Sequence, residues 1–387
     1  MNVIQYVEKF GGQPFSERPF SDVDAMVLIA LVYVNFELVA PDFSVTGREI
    51  HLRDIAEEQI AEVCKTRYIP KENEELLRAA IASVRFRDVG VQYVMKVTDV
   101  NYLEQFFAVT YTVPTKGYFV VYRGTDSTVT GWKENFIAAV RGVTASQLDA
   151  VEYLHLIRRY IGDAPFMIGG HSKGGNLAYY AMLFAPDEIG KNITRAYSLE
   201  GTGFPTKEFK ERGNYERMFP LMVQIVPQDS LVGELFYTPE NHIIVRSDGK
   251  GFAQHNMFLW TITEEGDFAY LPRRHFFGQV FHRAVKQCAN KGIKEDKELF
   301  IDVLVKAFSG KNDEFQIFGA EYGSKVKRIV STTKREYSKK ERWCFYKFVF
   351  RLGLYFAGSF FVCAARRMFH RKKNEKKSST GKTGGEK

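Results

Sequence analysis

The sequence of 387 residues has little cysteine: four residues, Cys64, Cys288, Cys344 and Cys363, with no C-x-x-C pair among them. This scatter predicts neither a zinc site nor a disulfide framework, and it fits a reducing compartment. Residues 1–20 carry charges and no continuous apolar stretch, so we expect no secretory signal peptide and a cytoplasmic location. No internal repeat is present, and the length allows one large folded body with additions.

Charge is unevenly distributed along the chain. The formal net charge is +8, but residues 325–387 contain 19 Lys or Arg against 4 Asp or Glu. The remaining 35 basic and 42 acidic residues make residues 1–324 acidic. A strongly basic tail of this kind suits a densely negative partner, either nucleic acid or an anionic lipid surface.

Residues 1–90 read as a helical region packed on the body. An apolar run within residues 22–39, preceded by Ser21 and Asp22 as candidate caps, predicts a buried helix. Residues 51–64 and 73–84 also read as helices. Stretches rich in Val, Tyr and Phe then predict strands, with a hairpin turn at 114–117, over residues 91–97, 106–113 and 118–122.

Strands and helices alternate beyond this point. We expect helices at about 131–141, 146–161 and 175–184, and strands at 166–170, 193–199, 219–226 and 242–247, with helix from 255 onward. This alternation predicts an α/β fold with a mostly parallel sheet and helices on both faces. The predicted division is a helical region 1–90, a body 91–324, a basic, apolar and helical extension 325–375, and a disordered tail 376–387.

Gly170-His171-Ser172-Lys173-Gly174 fits the G-x-S-x-G pattern and lies between a predicted strand and a predicted helix. In a nucleophile elbow the serine occupies a strained strand-to-helix turn, and the flanking glycines avoid collisions there. The pattern therefore indicates a serine nucleophile at Ser172. His171 is interpreted as a packing or local hydrogen-bonding residue.

A serine nucleophile needs a base, and the base needs an acid that fixes its tautomer. Among the histidines after Ser172, His255 alone lies beyond a strand and a flexible turn, where a loop base would lie. Asp229, in the turn after the strand 219–226, is the favoured acid because catalytic groups gather at the carboxyl ends of parallel strands. Glu200, which ends the preceding strand, is the rival candidate.

Acyl transfer also requires hydrogen-bond donors aimed at the oxyanion. The backbone N–H of Lys173 supplies one by its position after the serine. Arg123-Gly124-Thr125 directly follows the strand 118–122, and Thr125 offers a backbone N–H and a hydroxyl as the second donor. No cofactor and no metal are required by this chemistry.

An apolar strand ending in Arg123-Gly124-Thr125, a tryptophan at Trp132 and a G-H-S-x-G turn at Gly170–Gly174 resemble the class 3 (fungal-type) lipases. A related bacterial branch of lipase-like α/β-hydrolases of unknown function resembles the chain more fully, over about residues 1–262. Further matching segments are Pro19–Asp24, Glu200–Phe204 and Gln254–Asn256. The resemblance implies an α/β-hydrolase fold with Ser172 as nucleophile, Asp229 as acid, His255 as base, and Thr125 and Lys173 as oxyanion donors. The secreted lipases have a signal sequence and often disulfides, and we expect neither here, so the substrate does not carry over.

Residues 343–365 are the most hydrophobic stretch and are bounded by basic clusters. The uncharged part, Leu352–Ala365, has 14 residues, fewer than the ~20 that span a bilayer, which favours an interfacial helix over a full span. A span with snorkelling Lys347 and Arg351, or a helix packed on the body, stays open. We expect residues 343–373 to meet an anionic membrane surface, and no nucleic-acid partner.

These features together predict a membrane-associated serine hydrolase of the esterase or lipase type that cleaves a carboxylic or lipid ester through an acyl-enzyme at Ser172. Two alternatives remain at this stage. The body is a catalytically inactive interaction module, or the acyl group passes to an acceptor other than water in a transferase reaction.

Overall fold

The protein, seen in a computed structural model, is built on a nine-stranded mixed sheet whose strands lie side by side in chain order. The structure describes residues 1–40, 49–99, 104–126, 134, 143–204, 207–211, 214–238, 242–291, 294–309 and 322–380. The strands are β1 (Ile50–His51), β2 (Gly90–Asp99), β3 (Glu104–Val113), β4 (Gly117–Tyr122), β5 (Phe166–His171), β6 (Ile193–Leu199), β7 (Met222–Pro227), β8 (His242–Val245) and β9 (Tyr270–Leu271).

The centre of the sheet is parallel and its outer parts are antiparallel. Strands β4 to β8 pair in parallel, so their carboxyl ends lie along one edge. Strands β1 to β4 pair antiparallel, including the hairpin predicted at residues 114–117, and β9 pairs antiparallel with β8. The prediction of an α/β fold is confirmed at this level.

Helices cover both faces of the sheet. They are α1 (Val3–Phe10), α2 (Asp22–Leu31), α3 (Glu57–Val63), α4 (Pro70–Ala82), α5 (Ala145–Ile161), α6 (Lys173–Phe184), α7 (Asp187–Gly190), α8 (Tyr215–Met218), α9 (Phe276–Lys291), α10 (Lys294–Phe308), α11 (Tyr322–Glu336) and α12 (Lys339–Thr380). One apolar core lies between the sheet and α1, α2 and α4, and a second lies between the opposite face and α5 and α6. The helix predicted at 131–141 lies outside the described residues except for Glu134, which is helical.

Helix α2 is the centre of the N-terminal layer. Its residues from Val23 to Leu31 are all buried, and it contacts β4 and β5. A helix surrounded by protein has no solvent face, which explains why its sequence is apolar on all sides. Ser21 caps the helix and forms a capping box with Asp24, as the sequence predicted for Ser21.

A buried ion pair ties this layer together. The Arg85 guanidinium donates to both carboxylate oxygens of Asp24, at 2.8 and 2.6 Å, and neither side chain is exposed. Arg85 also donates to the backbone oxygens of Gln13 and Arg18, both at 2.9 Å. Two buried charges are tolerated because each is paired and hydrogen-bonded.

The C-terminal part differs from the helical prediction at its start. Strand β9 adds to the sheet edge before α9, so residues after 255 are not helical throughout. Helix α12 extends to Thr380, five residues into the segment predicted to be disordered, and residues 381–387 lie outside the description. Its portion Lys339–Met368 is long and apolar enough to cross a membrane by length and composition, and only 17% of its most apolar window is buried.

Candidate active site

Ser172 occupies a sharp turn between β5 and α6. Its backbone has φ 58° and ψ −125°, a conformation that is unfavourable for a residue with a Cβ atom. The Ser172 N–H donates to the carbonyl of Leu199 on β6 at 3.0 Å, which anchors the turn to the neighbouring strand. The turn therefore stands at the carboxyl end of a central parallel strand, as the G-x-S-x-G pattern predicts.

The two glycines of the pattern are required by close backbone contact. A Cβ atom on Gly170 would lie 2.3 Å from the carbonyl carbon of Gly174 and 2.6 Å from the backbone oxygen of Tyr122. A Cβ atom on Gly174 would lie 2.1 Å from the same Tyr122 oxygen. Strand β4, the turn and α6 approach each other this closely only because both positions lack a side chain.

His255 is hydrogen-bonded to Glu200, with 2.9 Å between Nδ1 and Oε2. A carboxylate only accepts, so Nδ1 carries the hydrogen and Nε2 of the neutral ring keeps its lone pair. The other oxygen of Glu200, Oε1, accepts from the Ser230 hydroxyl at 2.9 Å and from the N–H groups of Leu231 and Val232 at 3.1 and 3.3 Å. Both oxygens of this buried carboxylate are therefore fixed in place.

Asp229, the acid that the sequence favoured, is not the carboxylate bonded to Nδ1 of His255, a position that Glu200 occupies. Its Oδ1 accepts from the N–H of Gly278 in the first turn of α9 at 3.0 Å, and its Oδ2 lies 3.3 Å from Nδ1 of His275. It thus caps a helix. Glu200 directly follows β6, and its N–H continues the ladder to β7 at 2.8 Å, which holds it near His255. Asp229 lies two residues beyond the end of β7, where the chain has already turned.

His171 packs against His255 and is hydrogen-bonded to its backbone. Its ring centroid lies 4.5 Å from that of His255, its Nε2 is 2.9 Å from the His255 carbonyl oxygen, and its Nδ1 is 2.9 Å from the Tyr33 hydroxyl. Burial, and then His255, hold the pKa of His171 well below its usual range. The neutral ring therefore donates from Nε2 and accepts from Tyr33 at Nδ1. The sequence predicted hydrogen bonding for His171 but gave no signal for Tyr33, 138 residues away.

Thr125 lines the same cavity as Ser172, and Lys173 directly follows Ser172 in the chain. Thr125 follows Gly124, where a Cβ atom would lie 2.3 Å from the Tyr33 hydroxyl, so the loop is packed tightly under the turn. The Lys173 N–H is at the start of α6 and has no acceptor within the helix. Its ammonium points into the core, where it binds Glu134 at 2.7 Å, a partner that the sequence did not suggest.

Ser172, His255 and Thr125 line the same cavity, which has a volume of about 510 Å³. The rest of its wall combines apolar and aromatic side chains with charged and polar ones: Tyr33, Tyr68, Ile69, Phe252, Ala253, Arg67, Lys325, Asp126, His171 and Asn256. Lys325 comes from α11, so the C-terminal helices contribute to this cavity. Within the described part of the chain, no cluster of His, Cys, Asp and Glu could hold a metal ion.

A comparison with protein-family models finds one that matches residues 80–306, more than half of the chain, and that is described as Mbeg1-like. The matched segment contains Thr125, Ser172, Glu200 and His255. Trp132, part of the lipase resemblance, lies outside the described residues. No curated protein matches the chain.

Proposed function

From the premise that this chain belongs to the Mbeg1-like family, a lipase-like family of unknown function, we propose that it is a serine hydrolase with an α/β-hydrolase fold that cleaves carboxylic esters. The observation that carries this proposal is the pairing of His255 with Glu200 at 2.9 Å beside the strained Ser172 turn, around one cavity. In this proposal Ser172 is the nucleophile, His255 the base and Glu200 the acid. Glu200 thus takes the role of the acid, which the sequence analysis assigned to Asp229.

The reaction proceeds in two steps of the same kind. The Ser172 hydroxyl oxygen attacks the ester carbonyl carbon while Nε2 of His255 takes the hydroxyl proton. The N–H groups of Thr125 and Lys173 stabilise the negative oxygen of the tetrahedral intermediate. The carbon–oxygen bond of the ester then breaks, and the alcohol leaves with the proton from His255. Water repeats the sequence on the acyl-enzyme and releases the carboxylic acid, which regenerates Ser172.

Glu200 acts through His255 rather than on the substrate. Because its Oε2 accepts from Nδ1, it selects the tautomer that leaves Nε2 able to accept a proton. It also stabilises the imidazolium that forms when the proton arrives. The donors from Ser230, Leu231 and Val232 keep the carboxylate in place through both steps.

The cavity supports an acyl or lipid ester as substrate. Tyr33, Tyr68 and Phe252 give it flat apolar walls, and its volume of about 510 Å³ is within the range of small-molecule sites. The proposed substrate class is therefore a carboxylic ester with an apolar acyl group.

We further propose that α12 associates with the cytoplasmic face of a membrane. Its apolar portion carries large exposed side chains, including Trp343 at 69%, Phe350 at 68% and Phe361 at 72% exposure. Apolar side chains exposed to this extent over one helix favour burial in the interfacial or hydrocarbon region of a bilayer. The flanking basic residues favour an anionic surface.

Activity-based labelling tests the hydrolase proposal. We expect a fluorophosphonate probe to label the purified protein and a short-chain soluble ester to be hydrolysed. Ser172→Ala should lose labelling and at least about 1,000-fold in kcat/KM, because no nucleophile remains. Ser16→Ala, an exposed serine, is the matched control and should behave as the unaltered protein. The proposal is contradicted if the probe labels Ser172→Ala as strongly as Ser16→Ala, or if it fails to label the unaltered protein.

A further inference from the structure

A second cavity, of about 610 Å³, lies between α9 and α12. We name it the basic cleft. Its basic lining residues are Arg274, His282, Arg283, Lys286, Lys291 and Arg366. The two helices are held together by an edge-to-face contact between Phe276 and Phe360, with ring centroids 5.3 Å apart. Phe281 and Phe356 make a second ring contact at 5.8 Å. These ring contacts hold the two helices together beside a cleft that is lined mainly by cationic side chains.

The charges of the cleft are poorly balanced by the protein. Glu234, a buried carboxylate, binds Arg274 and His282. No ion pair links a carboxylate to Arg283, Lys286 or Lys291 among the residues that the structure describes, and the same holds for Arg366 across the cleft on α12. The cleft is therefore lined by five permanent cations, of which only Arg274 pairs with Glu234, and this excess of positive charge favours an anion.

The cations of α9 lie on one face of the helix. Arg283 and Lys286 are three residues apart, so their side chains are neighbours, and like charges at this spacing destabilise an isolated helix. Lys291 lines the same cleft. In addition, Nε of Arg283 is buried and has no hydrogen-bond partner among the residues that the structure describes. A bound anion would supply both the missing acceptor and the missing charge.

The surroundings of the cleft identify the anion. Arg366 lies one to two turns along α12 from Phe360 and Phe361, which are 50% and 72% exposed, and Met368 beyond it is 62% exposed. A cationic cleft that opens beside an exposed apolar helix face matches a molecule with a phosphate at one end and hydrocarbon chains at the other. A nucleic acid would bring phosphates but nothing to cover the apolar face.

We propose that the basic cleft binds the phosphate of an anionic glycerophospholipid, whose acyl chains lie along the exposed apolar side chains of α12. The inference rests on the proposed membrane association of α12 and adds a defined headgroup site on the α9 surface. Arg283 and Arg366 suit the planar, bidentate recognition of phosphate oxygens, and Lys286 and Lys291 add positive charge.

Vesicle binding by the full-length protein tests the site. The cleft variant combines Arg283→Gln, Lys286→Gln and Lys291→Gln. The matched control combines Lys116→Gln, Arg159→Gln and Lys191→Gln, which removes the same charge from exposed positions that do not line the cleft. On phosphatidylcholine vesicles containing phosphatidylglycerol, we expect the partition coefficient of the cleft variant to fall on the order of 100-fold. The control should change by less than about threefold, since it keeps every cation of the cleft.

Further arms distinguish the sources of phosphate. Soluble glycerol 3-phosphate should compete with the vesicles more strongly than sodium chloride at equal ionic strength, yet bind more weakly than they do. Equal losses in the cleft and control variants, or no binding of the unaltered protein to these vesicles, overturn the inference. Tight binding of glycerol 3-phosphate alone would also overturn the inference. The same holds if the unaltered protein binds single-stranded RNA and the cleft variant does not. Hydrolysis of a soluble short-chain ester should be the same in the cleft variant, so failure of the hydrolase proposal is seen separately.

Discussion

Replacing Glu200 by glutamine changes the proposed active site by one atom. Three donors, from Ser230, Leu231 and Val232, converge on Oε1 of Glu200. They will hold the amide oxygen of a glutamine in the same place, so the new NH₂ group must face Nδ1 of His255. An amide nitrogen donates, and Nδ1 then has to accept. The ring is forced into the tautomer with its hydrogen on Nε2, which cannot take a proton from Ser172.

The size of this effect follows from the tautomer. A correctly placed histidine in the wrong tautomer loses about 1,000- to 10,000-fold in kcat, which corresponds to about 4–5.5 kcal/mol of transition-state stabilisation. Stability should change little, because the hydrogen bonds to the side-chain oxygen are kept. The assay is kcat/KM for a short-chain ester, together with the rate of fluorophosphonate labelling.

Asp229→Asn is the matched control for this variant. Asparagine still accepts from the N–H of Gly278, so the start of α9 remains capped. We expect esterase activity within about threefold of the unaltered protein. A large loss in Asp229→Asn combined with near-normal activity in Glu200→Gln would refute the reasoning, because it would mean that Asp229 orients the base.

Two further predictions concern buried groups. Tyr33→Phe removes the donor to Nδ1 of His171 and should lower the free energy of unfolding by about 1–3 kcal/mol in urea titrations; an unchanged midpoint would show that this hydrogen bond does not stabilise the fold. Burial, and then the Asp149 carboxyl, raise the pKa of Glu104 to about 8. Between about pH 4.5 and pH 8 the folded protein holds a proton that the unfolded chain releases, so stability should fall as pH rises through this window. Glu104→Gln should flatten the dependence, and an unaltered slope in that variant would contradict the assignment.

The elements of the body could be predicted from sequence because their local signals are strong. Strand β6 was expected at residues 193–199 and occupies Ile193–Leu199, and α5 was expected at 146–161 and occupies Ala145–Ile161. Runs of β-branched and aromatic residues between turns specify strands without help from distant contacts. Strand β9 has two residues and depends on pairing with β8, so no local pattern predicted it.

The choice between Glu200 and Asp229 could not be made from sequence, because both follow neighbouring parallel strands at the same edge. The choice depends on tertiary contacts: the ladder bond from the Glu200 N–H to β7, and the start of α9 close to Asp229. Tyr33 shows the same limit. Its apolar neighbours indicated a buried helix, but only the packing of that region under β5 brings its hydroxyl to His171.

The hydrogen bonds of Arg85 show that the segment matched by the family depends on residues that precede it. The family match begins at residue 80, yet the Arg85 side chain is secured by acceptors at Gln13, Arg18 and Asp24, far upstream. A gene fusion that moved only residues 80–306 would separate a charged guanidinium from its acceptors and uncover the sheet face beneath α2. We therefore expect the unit that folds to be larger than the matched segment and to include residues 1–79, which supply these acceptors.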